Sequence, residues 1–469
     1  MSLKKTLVLA IFLVGIISYI QYVELPSQRA EEQKGILFKE ISKSDIAQID
    51  IKNSSDTIHL TKDSDWRVET PGSDLVDLGA VDSLLGSIMN LDVSTSIPKE
   101  EIEADLSIYG LEKPEASITV SAKGKATEIA FGKLNSFLDK RYIQYGDTRN
   151  VSLVTDQLYS AVTKSKDDYR DRTPIEFSAQ DIRQILILAD NVEYVFVRDS
   201  DSSWRSVKPT EATLSEAAVN ELLRNVKNLT AAAFIDPKDA SSTLNPKDYG
   251  IGDKSYVTMN LALGSSEEEK QLKLNIGKKK KDNHEFFYTF DNQRSIFALA
   301  SDPKPQLVKP VVELREKQLF RFSTDNAVKV SFVYKEELPE LTLDKSAKPA
   351  ESIWLVNHKI ADDVFVNEIL KNLSNLTADS FPKSQDDLGF DPPTLAVTVT
   401  IREDKDTVSE KVLLIGKSID KTKEEKRYYA IVKGTNEPFI ISEQSFKRIR
   451  AREETLVKPQ DKSENDTNS

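Results

Sequence analysis

The chain holds three tryptophans, and each opens the same series of landmarks, so whatever fold one third adopts the other two must adopt as well. Trp66 stands in Asp65-Trp66-Arg67-Val68-Glu69-Thr70-Pro71, Trp204 in Ser203-Trp204-Arg205-Ser206-Val207-Lys208-Pro209, and Trp354 in Ile353-Trp354-Leu355-Val356-Asn357. A stripe of apolar residues follows each: Val81, Leu84, Leu85, Ile88; then Val219, Leu222, Leu223, Val226; then Val366, Ile369, Leu370, Leu373. Spacing of i, i+3, i+4, i+7 places four side chains on one face of a helix. Each stripe closes on an Asn-Leu pair, and Asn90, Asn228 and Asn375 follow Trp66, Trp204 and Trp354 at nearly the same interval.

A glycine turn comes next, as Tyr109-Gly110-Leu111, Tyr249-Gly250-Ile251 and Leu388-Gly389-Phe390. Glycine there points to a positive φ. Alternating strands follow, such as Ala116-Ser117-Ile118-Thr119-Val120 and Leu395-Ala396-Val397-Thr398-Val399. At a similar interval in each copy a second glycine turn appears, Phe131-Gly132-Lys133, Ile276-Gly277-Lys278 and Ile415-Gly416-Lys417, each leading into an aromatic strand with Tyr142, Tyr288 or Tyr428. An apolar strand and short helix close the copies at Val151 to Val162, Ile296 to Val308 and Phe439 to Ile449. Strand, Trp strand, helix, turn, strands and helix in that order read as α+β with a largely antiparallel sheet, and Ala122-Lys123-Gly124-Lys125 implies a hairpin. The modules are placed at 36–177, 178–322 and 323–456, followed by a polar tail, 457–469, that is expected to be disordered.

Ahead of the repeats, residues 1–35 read as an anchor and short spacer. Lys4 and Lys5 precede a mostly apolar stretch from Thr6 to Val23. At 1.5 Å per residue a helix of that length nearly matches the roughly 30 Å hydrocarbon thickness. The unbroken apolar core Leu7 to Ile17 also suits a signal peptide, but no small-x-small cleavage site follows it. Tyr19 and Tyr22 suit the interfacial level. The expectation is an uncleaved single-pass helix in a bacterial inner membrane, with the lysines in the cytoplasm and the C-terminal bulk in the periplasm.

Composition removes several function classes. With 76 acidic against 64 basic residues the formal charge is −12, so no nucleic-acid partner is expected, since that needs a basic face. Zero cysteines exclude disulfides, thiolate nucleophiles and zinc-cysteine or iron–sulfur sites. His59, His284 and His358 fall at unrelated places in the repeats, without a second histidine at metal-ligand spacing. Gly277-Lys278 lacks the glycine spacing of a phosphate loop and recurs as the repeat's own turn. Asp199-Ser200-Asp201-Ser202-Ser203 begins like a calcium loop, but Trp204 stands where glycine is needed and Thr210 where a bidentate glutamate belongs. Lys278 to Lys281 reads as a solvated hairpin tip that blocks edge pairing or as a contact for an anionic lipid or partner, and Lys133 with Lys140 and Lys417 with Lys421 repeat the theme. No catalytic residue, cofactor site or metal ligand emerges, so an enzyme is not expected.

The Trp strand with its proline, the helix ending Asn-Leu, Tyr109-Gly110-Leu111-Glu112-Lys113-Pro114 and the Ile-Gly-Lys turn together resemble a known group. It is a bacterial domain-of-unknown-function family of membrane-anchored envelope proteins associated with gliding-motility-type ABC transporters. The resemblance covers roughly residues 36 to 456 in three copies. Leu388-Gly389-Phe390-Asp391-Pro392 departs from it by lacking the tyrosine, and the second copy lacks the proline after Ile251. It implies a non-catalytic accessory component that presents its modules outside the inner membrane to ABC permease subunits. Two alternatives stay open: a binding module for an envelope polymer, peptidoglycan or polysaccharide, through exposed aromatics such as Tyr142 and Tyr288, and a hydrolase with a dispersed carboxylate pair.

Overall fold

The computed structural model describes residues 35–457, apart from 70–72, 103–104, 147–149, 174, 176, 200–201, 239–241, 265–269, 291–294, 336–339, 346–352, 405–406 and 421–425. The expected membrane helix at 6–23 and residues 458–469 of the expected tail lie outside the described residues. Among the described residues no helix is long and apolar enough to cross a membrane.

Three sheets repeat one topology. In the first, β1 (Ile46–Lys52), β2 (Thr57–Lys62), β3 (Trp66–Glu69), β4 (Ser73–Leu75), β5 (Ala116–Ala122), β6 (Lys125–Asn135), β7 (Lys140–Tyr145) and β8 (Val151–Val154) lie in the order β4-β3-β2-β1-β5-β6-β7-β8. The second contains β9 (Ile182–Ala189), β10 (Val192–Arg198), β11 (Trp204–Lys208), β12 (Ala212–Leu214), β13 (Ala233–Ile235), β14 (Val257–Leu263), β15 (Lys270–Lys281), β16 (His284–Phe290) and β17 (Ile296–Leu299), ordered β12-β11-β10-β9-β14-β15-β16-β17-β13. The third, ordered β21-β20-β19-β18-β22-β23-β24-β25, has β18 (Ala327–Tyr334), β19 (Leu341–Lys345), β20 (Trp354–Val356), β21 (Lys359–Ile360), β22 (Leu395–Arg402), β23 (Val408–Asp420), β24 (Lys426–Val432) and β25 (Phe439–Ser442). Each opening meander runs outward to one edge, and the helical crossover returns the chain beside the sheet's first strand.

By contact density the chain divides into two units, Met1–Asp181, Ile187–Asn191 and Arg224–Leu307 in one and Ile182–Leu186, Val192–Leu223 and Val308–Ser469 in the other. The first sheet belongs to the first unit and the third to the second.

The crossover helices α1 (Leu78–Met89), α3 (Glu216–Lys227) and α6 (Asp363–Ser374) have 12 residues each. The shorter helices are α2 (Gln157–Val162), α4 (Lys304–Leu307), α5 (Val311–Leu314), α7 (Glu443–Ile449) and α8 (Glu453–Leu456). All twelve apolar positions expected on the long helices are buried. Asp77 and Asp362 cap the backbone N–H groups of Ala80 and Val364 at the start of α1 and α6, satisfying donors that the helix itself cannot. Asn90 and Asn375 end the same helices. Strands bury alternate residues, as Ala116, Ile118, Val120 and Ala122 do in β5. The tryptophans are buried at equivalent places, each first in its strand and opposite a basic residue: Lys62, Arg198 or Lys345.

The two glycine turns, which the sequence presents as separate landmarks, are one interlocked structure. Gly110, Gly250 and Gly389 have φ of 72°, 72° and 77°. They press against bulges at the second turns, where the β6–β7, β15–β16 and β23–β24 registers shift. A Cβ on Gly132, Gly277 or Gly416 would collide with the carbonyl oxygen of Tyr109, Tyr249 or Leu388. Only glycine permits that approach.

Two details differ from the sequence reading. The second sheet has an additional strand, β13, paired to β17. The aromatic positions also shift: Phe131, Ile276 and Ile415 face Ile143, Tyr288 and Ala430, which makes Tyr142, Phe287 and Tyr429 the equivalent set.

Candidate functional site

Among the described residues of the first unit, the most heavily buried charge belongs to Arg170, whose side chain is 0% exposed. The residues around it fold it in from both directions. Tyr169 accepts a backbone hydrogen bond from Asp77 at 2.9 Å, and Asp171 donates to Leu75 at 2.9 Å, so the exit segment bridges the edge just before α1. The Arg170 guanidinium then reaches Asp236 through both terminal nitrogens, at 3.0 and 2.9 Å, while also bonding Asp74, Asp167 at 3.0 Å and Ser295 at 3.2 Å. Its central carbon lies 3.8 Å above the Phe234 ring. Lys166 and the Ser295 hydroxyl donate to Asp236 at 3.0 and 2.8 Å. Burial opposes the charged form of Arg170, but Asp74 and Asp236 outweigh it and hold its pKa above the ordinary value. Burial likewise opposes ionised Asp236, and hydrogen bonds from Arg170 and Lys166 overcome it, leaving the carboxyl below its usual range.

The second unit repeats the arrangement with fewer charges. Ser215 donates to the Leu314 carbonyl at 2.8 Å and Glu316 to that of Thr213 at 2.9 Å. Arg315 bonds Glu437 at 3.0 Å, with its guanidinium carbon 3.5 Å from the Phe381 ring centre. Thr213 donates to the same Glu437 through its backbone N–H at 2.8 Å and its hydroxyl at 2.6 Å. Burial here outweighs the single carboxylate, and the Arg315 pKa lies below the ordinary arginine value. Among the described residues the Nε atoms of both arginines have no hydrogen-bond partner.

Phe234 and Phe381 each stand six residues after the helix-end asparagines Asn228 and Asn375. The same offset from Asn90 gives Ser96, which bridges Ser152. At the far end, the bridge that joins Val76 to Arg170 and Leu214 to Arg315 joins Ala361 to Val457. Thus the first copy lacks the ring and the last lacks the arginine. Arg170, its charged form favoured by Asp74 and Asp236, and Asp236, held below the usual carboxylate range by Arg170 and Lys166, offer neither a proton donor nor a base near neutrality. Chemically the pair is a lock between consecutive copies.

A cavity of about 370 Å³ in the second unit is lined by Tyr334, Leu341, Lys359, Ala451, Glu453 and Val457, among others. Lys359 and Asn357 donate to Glu453 at 2.6 and 2.9 Å, and the Tyr334 hydroxyl donates to the Ala451 carbonyl at 2.6 Å. These groups satisfy one another.

The histidines stay apart. His59 Nδ1 lies 2.7 Å from Asp50 across β1 and β2, His284 opens β16 beside Phe287, and His358 occupies a turn with φ of 69°. Among the described residues no three metal-binding groups converge. Asp199 accepts from Arg205 at 2.9 Å in the β10–β11 turn, while Ser200 and Asp201 lie outside the described residues. Lys278 and Lys281 lie over aromatic rings, Tyr256 with Phe286 and Tyr249. Tyr288 is fully buried and lines no surface groove; Tyr142 is half-buried, bonded to Asn135 at 2.7 Å and edge-on to Tyr109.

The family described as Domain of unknown function (DUF4340) matches residues 66–247 and 239–381, more than half of the chain. The chain belongs to that family. The DUF4340 matches number two where the sheets number three, and each match contains one arginine–phenylalanine lock, Arg170 with Phe234 or Arg315 with Phe381. No curated protein matches this DUF4340 chain. Among solved structures, a DNA polymerase sliding clamp from Pseudomonas aeruginosa, crystallised with a ligand, is 7% identical, covering 88% of this chain and 94% of that one, with a TM-score of 0.12. A likeness that low carries no argument.

Proposed function

We propose that the protein is a non-catalytic accessory component of an ABC-type transport system, anchored in a bacterial inner membrane by residues 6–23, with its modules in the periplasm. One observation carries this most directly: the buried ionisable clusters join consecutive copies, so the chain's charge chemistry serves to hold modules together. The apolar amino-terminal stretch supplies the anchor, and the resemblance to transporter-associated envelope proteins supplies the partner class. Gly15 and Ser18, three apart in the apolar stretch, would let a permease helix approach closely. Contacts shared between anchor and modules reinforce each other through tethering.

Affinity purification from mild detergent tests the reading, with the native chain beside one in which the segment from Met1 to Leu25 is exchanged for an unrelated anchor. Permease subunits should accompany the native chain and decline on exchange. Recovery of neither permease nor ATPase would remove the transporter reading.

A further inference from the structure

The β6–β7 hairpin of the first module ends in a display of apolar side chains. Phe137 is 100% exposed, Leu138 56% and Leu134 39%. The display is held in place. Asn135 accepts hydrogen bonds from the backbone N–H groups of Phe137 and Leu138 at 3.1 and 3.3 Å, while its amide donates to Tyr142. Below the tip, Arg141 donates to the carbonyl of the bulge residue Gly132 at 2.7 Å and to Asp156 at 2.7 Å, with its guanidinium 3.4 Å over the Tyr159 ring. Lys133 and Lys140 flank the apolar residues, with Asp139 at the turn.

The corresponding stretches of the other copies are polar in sequence. The second carries Lys279, Lys280, Lys281 and Asp282, and the third has the sequence Lys421-Thr422-Lys423-Glu424-Glu425. The apolar tip thus belongs to the copy next to the apolar stretch at 6–23. It also lies near Gly35, the first described residue: the Gly35 carbonyl accepts from Val93 at 2.8 Å, and two residues on, Thr95 accepts from Lys140 at the hairpin base at 3.1 Å. The short segment 24–34 spans at most roughly 40 Å when extended, so the anchor cannot lie far from this end.

We propose that the Leu134–Leu138 tip inserts into the interfacial layer of the bilayer that holds the amino terminus, with Lys133 and Lys140 facing anionic headgroups. The inference rests on the anchor reading above. It gives the first module a second membrane attachment and fixes its orientation on the surface.

The chain has no native cysteine, so single labelling sites are simple to introduce. Full-length Phe137→Cys, Lys280→Cys and Phe12→Cys proteins, each carrying an environment-sensitive fluorophore, are reconstituted into vesicles of phosphatidylethanolamine and phosphatidylglycerol. They are then exposed either to spin-labelled lipid or to iodide on both sides. The label at 137 should respond to the lipid quencher several-fold more than that at 280 and correspondingly less to iodide. Lipid contact at 12 with the label at 137 behaving like that at 280 overturns the tip proposal and leaves the anchor standing. Loss of lipid contact at 12 overturns the anchor and this proposal with it. Shielding at 137 from iodide without contact with the lipid quencher assigns the tip to a protein surface and overturns the bilayer proposal.

Discussion

Arg170 and Arg315 hold the same position in successive copies, yet their surroundings set opposite electrostatic balances. Three carboxylates and a lysine surround the first, one carboxylate the second. Arg170→Met leaves three carboxylates around a lost cation and should cost about 3–5 kcal/mol in urea denaturation, as for other broken buried pairs. Arg315→Met should cost less, because Glu437 keeps both bonds from Thr213. Asp236 is lowered from the ordinary value of 3.8 in the folded chain, so its contribution is complete above that value and is lost as pH falls through the lower folded pKa. Acid titration of stability should show this loss below about pH 3.8, and Asp236→Asn should remove that part of the slope while weakening the protein at neutral pH. Neither lock was legible beforehand, since the carboxylates lie 66 and 122 residues from their arginines. What the sequence did offer was the exit arginine of the first two copies and, in the last two, a phenylalanine six residues after the helix-end asparagine.

The helices and tryptophan strands, by contrast, follow from local periodicity, because burial of one face requires the four apolar positions that spacing reveals. The pairing of the glycine turns is not local, because a bulge brings together segments that one whole strand and part of the next separate in the chain. β13 leaves no periodic signal, because three residues are too few to show alternation. The interlock makes a signed prediction. In Gly277→Ala the new Cβ would collide with the Tyr249 oxygen and lie 2.8 Å from the Gly250 carbonyl carbon, both backbone atoms, so a loss of about 1–3 kcal/mol or more is expected. Gly86→Ala, inside α1 with nothing within 4 Å of the added carbon, should instead gain about 0.5–1 kcal/mol. Thermal melts of the two variants should move in opposite directions.

For the whole chain, the threefold count was visible in sequence, and the sheets share it; what local patterns concealed is how each copy borrows from the segment before it. Gly35, Arg172 and Lys317 present carbonyls to Val93, Ala231 and Ala378. In the third copy Gln318 also donates to Ser374 at 2.6 Å, and Phe320 is fully buried. A fragment of residues 317–457 should therefore melt at a higher temperature than one of residues 323–457, as followed by circular dichroism. The blanks at the two ends bear on a different matter. A surface that mates with its own successor, left open at both ends, is the geometry from which fibres grow. Here Val457 and Ser96 stand where arginine and phenylalanine would be needed, so among the described residues neither end carries its half of the pair. At both ends, the described repeat lacks the pair through which a further copy would extend it.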